Sequence, residues 1–472
     1  GTLKKLSVAG GAAIVVSNAP NSFGAAWTSR GTIVFQPTQN SALQQVPDAG
    51  GGAQALTHLD EGETGHRWPE PLPGGRAVLF VADRNGARQV AVYPIETSKP
   101  QNLVEGTQPR YVSTGHLLYS QAGTVMAAPF DVQSLAITGR AVPVIENVLE
   151  DGQYGAAQYA VSSTGSLVFV PGGLQNRRRK LVWVTRNGAE QQLAAPPGAY
   201  EVPRISPDGR RIAVDAGDTD REIWLYDLNR ETLSRLTFQA NAGLPLGTPD
   251  GKRVAFRSVR GGRQSLSWQL ADGSAGPEEL TTGEEQYPNS FTPDGKSLTY
   301  YNVSLASGRD IWMLKLGESK SSAQPFLQAP VNEAPAKFSP DGRWVAYASN
   351  ESGRGEIYVR PYPGPGGKWQ ISTEGGSEPA WNPNGRELFY RSGNKMMAVD
   401  ITTQPNFVAG KPRMLFEGQY VSGIVSGNYD VSPDGQRFLM LKEGAEAVHA
   451  TQIIVVQNWF EELKRLVPTG TK

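Results

Sequence analysis

Four histidines and no cysteine set narrow limits on the chemistry available to this 472-residue chain. Without thiols there is no cysteine nucleophile, disulfide or thiolate metal site, and the redox compartment stays open. His58, His66, His116 and His449 form no His-Glu-x-x-His pattern. His58 and His66 share a loop-rich stretch where they could meet, and they read as polar strand-edge positions. A serine hydrolase would need Gly-x-Ser-x-Gly at a strand-to-helix elbow. The nearest stretch, Ser422-Gly-Ile-Val-Ser-Gly427, has the wrong spacing. Asp215-Ala-Gly-Asp-Thr-Asp-Arg-Glu222 offers four carboxylates, enough oxygen for a calcium ion, but not in EF-hand register. It reads as a solvated turn between strands. No metal, cofactor or catalytic residue is expected. Forty-five basic residues balance 45 acidic ones, so charge points to neither nucleic acid nor an anionic membrane as partner. No apolar run is long enough to cross a bilayer.

The elements that would position any site are announced by a repeated turn. Six copies are sharp: Ser206-Pro-Asp-Gly209, Thr248-Pro-Asp-Gly251, Thr292-Pro-Asp-Gly295, Ser339-Pro-Asp-Gly342, Asn382-Pro-Asn-Gly385 and Ser432-Pro-Asp-Gly435. Four are worn: Thr28-Ser-Arg-Gly31, Leu72-Pro-Gly-Gly75, Val112-Ser-Thr-Gly115 and Ser162-Ser-Thr-Gly165. Proline presets φ, Asp or Ser caps the backbone, and glycine takes the positive φ that reverses the chain. Successive marker glycines lie between 40 (75 to 115) and 50 (115 to 165) residues apart. Each is followed by an apolar strand such as Arg211-Ile-Ala-Val214 or Trp344-Val-Ala-Tyr347. A second strand such as Glu222-Ile-Trp-Leu-Tyr-Asp227 comes next, then a polar one such as Leu233-Ser-Arg-Leu-Thr237. Four strands per period in the forties predict a β-propeller of about ten repeats, all-β apart from a short C-terminal helix. Trp183, Trp224, Trp268, Trp312 and Trp344 fall on these strands and read as packing between blades.

The worn and sharp repeats predict two domains. Residues 1–178 would hold four degenerate blades and a half-blade, and 179–472 a six-bladed propeller with the C-terminal helix. The boundary is the glycine-rich, then basic, Pro171–Lys180 stretch. The alternative is one ten-bladed ring in which Thr2–Ser17 completes the last blade. Lys4-Lys5 ahead of Leu6–Val16 loosely imitates a signal peptide, but the stretch matches third and fourth blade strands better. The chain therefore reads as starting in mid-blade, as a fragment or as a ring closed by its ends.

Candidate binding residues emerge from the repeats. Glu201, Gln286, Glu333 and Glu378 stand just ahead of the first strands and, if the blades superpose, ring one channel mouth. There they would favour a cation or peptide amine, with Tyr287 and Trp381 adding apolar contact. Trp459, Phe460, Leu463, Leu466 and Val467 lie at helical spacing. That helix packs on the propeller or, alternatively, docks a partner through Trp459, Phe460 and Leu463.

The Ser-Pro-Asp-Gly repeats resemble those of TolB-like propellers. More specifically, Phe338–Gly353 and Tyr358-Val-Arg-Pro-Tyr-Pro-Gly-Pro-Gly-Gly-Lys-Trp-Gln-Ile-Ser372 are similar to the propeller region of bacterial eukaryotic-like serine/threonine kinases. Gly65-His-Arg-Trp-Pro69, Leu181-Val-Trp183, Asn428-Tyr-Asp-Val-Ser432 and Asn458-Trp-Phe-Glu-Glu-Leu-Lys-Arg465 fit the same pattern. The resemblance implies a periplasmic or extracellular sensor or binding module, with further repeats and a membrane tether upstream. This sequence departs from it in lacking a Gly-rich phosphate loop, a His-Arg-Asp loop and an Asp-Phe-Gly. The function read from the sequence is thus a non-catalytic propeller acting through protein or small-ligand contacts on its loop faces. The alternatives are an accessory subunit of a larger bacterial assembly, and a propeller enzyme such as a lyase or a peptidase partner.

Overall fold

The computed structural model describes the chain apart from residues 20–21, 85–86, 153, 176–177, 218–220, 239–240, 261–262, 284, 305–306, 318–321, 365, 405, 424–425, 445–451 and 470–472. The chain is an all-β propeller fold with one short helix, and it divides into two compact units, Arg177–Glu446 and Gly1–Asn176 with Ala447–Lys472.

In the Arg177–Glu446 unit, the described residues form six antiparallel sheets, one per sharp turn. The inner strands are Glu201–Ile205, Gly243–Gly247, Gln286–Phe291, Glu333–Phe338, Ser377–Trp381 and Tyr429–Val431. Each lies at the edge of its sheet and pairs on one side only. That is why five of them carry a proline (Pro203, Pro245, Pro288, Pro335, Pro379): an edge strand has no second ladder to break. The pairing register slips at these prolines, between Glu201 and Arg204 for example. Val202, Leu244 and Glu378 take positive φ at matching places in the bulge (50°, 61° and 53°). A bulge frees an amide, and side chains hold it: Asn428 Oδ1 accepts from Val202 N (2.9 Å) and Asp215 Oδ2 from Leu244 N (2.9 Å). The sixth sheet is closed by both ends of the unit. Arg179–Thr185 pairs with Arg437–Glu443 over its whole length, with Glu190–Gln192 outside and Tyr429–Val431 inside. The six sharp repeats thus complete their own last sheet.

Each turn fixes its own geometry. The Ser or Thr hydroxyl donates to the Asp carboxylate at 2.5–2.6 Å in Ser206–Asp208, Thr248–Asp250, Thr292–Asp294, Ser339–Asp341 and Ser432–Asp434. The same carboxylate accepts the amide two residues on. Between sheets, apolar side chains of the middle strands interleave, as do Val182, Val184, Phe389, Met396, Phe438 and Met440. The tryptophans contribute here: Trp344 packs on Trp369 and Phe407, and Trp183 lies under the Arg437 guanidinium.

In the other unit, two sheets have four consecutive strands, starting at Ala25–Trp27 and Glu63–Pro71. A third starts at Thr107–Val112 and has five. The opening hairpin, Thr2–Lys5 with Ile14–Asn18, pairs with itself. Val16 and Leu3 pack it on Ile33, Phe35 and Val46 of the first sheet, so it does not complete a last blade. The fourth worn repeat is incomplete: Tyr159–Val161 and Leu167–Phe169 take their third strand, Ile454–Val456, from the end of the chain. Helix α1 (Trp459–Leu466) comes next, and Trp459 and Leu463 are fully buried with Val112, Leu118, Val148 and Leu167. The C-terminal segment therefore packs with the worn repeats, and not within a 179–472 domain as its place in the sequence suggested.

Candidate functional site

Of the described histidines, His66 and His116 are engaged in the scaffold. His66, 1% exposed, bonds Thr57 Oγ1 through Nδ1 (2.7 Å) and Glu63 through Nε2 (3.0 Å). Thr57 Oγ1 accepts Leu43 N, so the trio ties the first sheet to Glu63–Pro71, the first strand of the next. The same knot recurs without histidine. Thr237 accepts Ile223 N and donates to Glu222, and Ser372 accepts Ile357 N and donates to Glu356. His66 thus extends a structural clasp, and His58 is exposed and apart from it. His116 Nε2 bonds Val467 O at the end of α1 (2.7 Å). His449 lies outside the described residues. Of the Asp215–Glu222 carboxylates, Asp215 pairs with Arg221 and Glu222 with Arg235, while Asp218 and Asp220 are outside the described residues.

The six residues expected at the channel mouth have different surroundings. Glu201, Gln286 and Glu333 begin inner strands, at the end opposite the turns, and each has its own surroundings. Glu201 bridges Arg179 (3.1 Å) and Arg221 (3.3 Å). Gln286 accepts from Thr281. Tyr287 stacks on Tyr301 at 4.6 Å within a buried cluster with Val202 and Leu244. Glu333, 4% exposed, has Oε2 without a hydrogen-bond partner. Burial first, then repulsion from Asp310 and Glu351, raises its carboxyl to about 7. Glu201, Gln286 and Glu333 stand two positions before their strand prolines, whereas Tyr287 and Glu378 stand one before, at the bulge itself, so they are not equivalent positions.

Glu378 and Trp381 do come together, in a cavity of about 460 Å³ inside the ring of six sheets. Prolines of five turns (Pro207, Pro249, Pro293, Pro340, Pro383) form its collar, with Phe291, Phe338 and Trp381 as apolar wall. Its floor holds two cations and two carboxylates: Arg204, Lys337, Glu378 and Asp430, beside Tyr429. Arg204 donates to the carbonyls of Pro203 (2.7 Å), Gly427 (2.9 Å) and Tyr429 (3.2 Å) and to Ser426 Oγ (2.8 Å). Glu378 is buried and accepts Gly423 N (2.7 Å) and Asn428 N (3.0 Å), which sews the segment before Tyr429 across the floor. Burial raises its carboxyl, against the pull of Arg391 and Arg204. Asp430 accepts Ile205 N (2.8 Å) and Val431 N (3.0 Å). Lys337 Nζ donates to Asn289 O (2.7 Å), and Trp381 Nε1 donates to Lys337 O (3.0 Å). Burial, reinforced by Arg204 and opposed by Asp430, lowers the Lys337 amine to about 7.

Arg204, Lys337, Tyr429 and Asp430 escaped the sequence reading. A usable signal was present: Arg204 and Lys337 are charged residues inside apolar inner strands, one and two positions after the edge-strand proline. The helix residues are placed plainly. Trp459 and Leu463 are buried within their own unit, and Phe460, half-buried, packs beside Gly165.

This geometry defines the class, a β-propeller with a polar-floored axial cavity, and its structural neighbours are TolB-like propeller proteins. No protein-family model matches the chain. An uncharacterized protein of Agrobacterium fabrum is 24% identical over 224 residues, 43% of this chain and 61% of that protein. Tol-Pal system protein TolB of Anaeromyxobacter dehalogenans is 34% identical over 112 residues, 22% of this chain and 26% of its own length. The matches thus span less than two thirds of either relative. Among solved structures, a putative TolB from Agrobacterium tumefaciens aligns with TM-score 0.48 and 18% identity, covering 57% of this chain and 99% of that one. TolB from Acinetobacter baumannii aligns with TM-score 0.39 and 19% identity, covering 63% and 80%.

Proposed function

We propose that this chain is a non-catalytic binding module, working outside the cytoplasm, that receives a protein segment or small ligand in the axial cavity of its Arg177–Glu446 unit. The observation that carries the reading is the cavity's construction. A floor of charged side chains is held rigid by backbone partners under an apolar wall, which suits selective contact. Contact rather than reaction is supported by the engagement of His66 and His116 in structural bonds. The sequence relationship to a Tol-Pal system protein favours a protein as the occupant. A second reading, an assembly subunit, draws on the exposed apolar side chains Val8, Ile14, Val15 and Trp27 near the start of the chain.

Native mass spectrometry of the chain purified from its source tests the proposal, beside a Pro249→Trp variant that crowds the collar. A bound mass on the wild type that the variant loses is the expected result. A bound mass of equal abundance on both would place the contact elsewhere and overturn the reading.

A further inference from the structure

The four floor charges are not equivalent. Each oxygen of Glu378 and of Asp430 already accepts a backbone amide, and Arg204 is shared among three carbonyls and a hydroxyl. Lys337 alone among them meets one partner, the Asn289 carbonyl, leaving two of its three N–H donors unspent. Its backbone is pinned by the Trp381 indole, so the amine stands at the foot of a wall formed by Trp381, Phe338 and Phe291. Arg204 lies close enough to repel it, which makes the pair a positive locus. A ligand carboxylate there would gain a charge-assisted bond beside an apolar wall.

We infer that the axial cavity selects an amphipathic carboxylate, with Lys337 holding the anionic group and the aromatic wall and proline collar holding the apolar body. The inference rests on the cavity being a binding site at all, and it names the chemical class of what is bound. It carries a pH signature. The amine titrates near 7 because burial and Arg204 oppose its charge, while Asp430 favours it and Glu378 and Tyr429 complete the surroundings. An anion binds the protonated amine, so binding takes up a proton near neutral pH and weakens as the pH rises above 7.

The probe is 2-naphthoate, with neutral 2-naphthamide as its isostere, titrated calorimetrically onto the full chain at pH 6 and pH 8.5. The expected result is naphthoate binding at pH 6 that weakens at least tenfold at pH 8.5, with naphthamide at least tenfold weaker at pH 6 and unchanged between the two pH values. Lys337→Met should lose about ten- to a hundredfold in naphthoate affinity and bind naphthamide no worse. Lys337→Arg should keep the affinity and lose the pH dependence, because a guanidinium stays charged. Thermal melts of each variant establish that it is folded. Equal binding of both probes at pH 6, an unaltered Lys337→Met titration, or no naphthoate binding would each overturn the inference. Pro249→Trp separates this failure from that of the parent reading. Binding that Pro249→Trp abolishes but Lys337→Met spares leaves the cavity a binding site without anion selectivity.

Discussion

At five of the six turns in the Arg177–Glu446 unit an aspartate takes a hydroxyl and an amide, whereas no turn among the worn repeats has a carboxylate to do so. The spans differ as well. In the sharp turns the first residue's amide reaches the carbonyl five residues on, as in Ser206 to Arg211 and Thr292 to Ser297. Of the worn turns, Leu72 keeps the longer span, to Ala77, while Thr28 reaches only Thr32 and Ser162 only Ser166. In both kinds the hydroxyl accepts the amide at the end of the span, as Ser206 Oγ accepts Arg211 N, but in the shorter turn this is the amide two residues after the third turn position: Thr28 Oγ1 accepts Thr32 N, and Ser162 Oγ accepts Ser166 N. A carboxylate would have no amide left to collect. The closures differ in the same direction. The sharp repeats complete their ring with their own strands, while the fourth worn repeat is finished by Ile454–Val456 and α1, elements outside the repeat pattern. Repetition has decayed where other parts of the chain supply the constraint.

The strongest attack on this comparison removes one closure at a time. Trp459→Ala empties a site that is 2% exposed, and Leu439→Ala empties a fully buried one in the sheet that closes the six-bladed ring. Each should cost about 3–5 kcal/mol, confined to its own unit. Hydrogen exchange read peptide by peptide checks this. Faster exchange around Val112–Phe169 in the first variant, and around Val182–Phe438 in the second, is expected. Protection lost equally in both units by either variant would break the division.

A smaller effect depends on pH. Glu333 titrates near 7 when folded against about 4.5 otherwise, so the folded unit binds its proton more tightly than the unfolded chain. Its contribution is therefore fully present below about pH 4.5 and lost as the pH rises through 7, amounting to about 2–3 kcal/mol by pH 8.5. Glu333→Gln should flatten that decline, raising the stability of the Arg177–Glu446 unit at pH 8.5 and leaving it nearly unchanged at pH 4.5. Denaturant midpoints at the two pH values decide. An equal shift at both would mean that packing, and not charge, limits this site. The turn aspartates run the opposite way. Hydrogen bonds hold Asp208, Asp250, Asp294 and Asp434 below the ordinary carboxylate value, so their contribution is lost as the pH falls through that lowered range. Asp294→Ala should cost about 1 kcal/mol in the same unit at pH 7, seen as a lower midpoint with unchanged slope.

The sequence made the blades legible because the turn chemistry and the strand pattern agree. Ser-Pro-Asp-Gly marks the reversal, and the residues after its glycine carry the apolar, β-branched pattern of a strand. It located the change from worn to sharp repeats and the short helix at 458–467. The partner of that helix could not be read, since pairing Val455 with Val168 joins positions hundreds of residues apart that no local pattern links. The site was half legible. Glu378 and Trp381 stand in the cavity, but Glu201 and Glu333 do not, because they stand in register with Ser377, one residue before Glu378, and successive strand residues point to opposite sides. Arg204 and Lys337 were hidden by their type: a charge in a strand reads as solvent-facing until a closed ring makes that face an interior.

The smallest effect probes turn length most directly. Arg30→Asp gives Thr28-Ser29-Arg30-Gly31 the carboxylate that the sharp turns have, at an exposed position. If the carboxylate alone stiffened the turn, the change would recover about 1 kcal/mol, as much as Asp294→Ala loses. The geometry argues for less. Thr28 Oγ1 is already shared with Thr32 Oγ1 at 2.7 Å, and Thr32 N is directed to Thr28 Oγ1, so the new carboxylate competes for bonds already made. The Arg30 stem also covers Gly75 and would be lost. The net change should stay within about 0.5 kcal/mol of zero. One extra residue after Gly31, combined with Arg30→Asp, lengthens the turn to the sharp span and should restore the difference. Denaturant titration of both variants beside the wild type separates the alternatives. A full gain from Arg30→Asp alone would show that the residue, and not the span of the turn, sets the worn repeats apart.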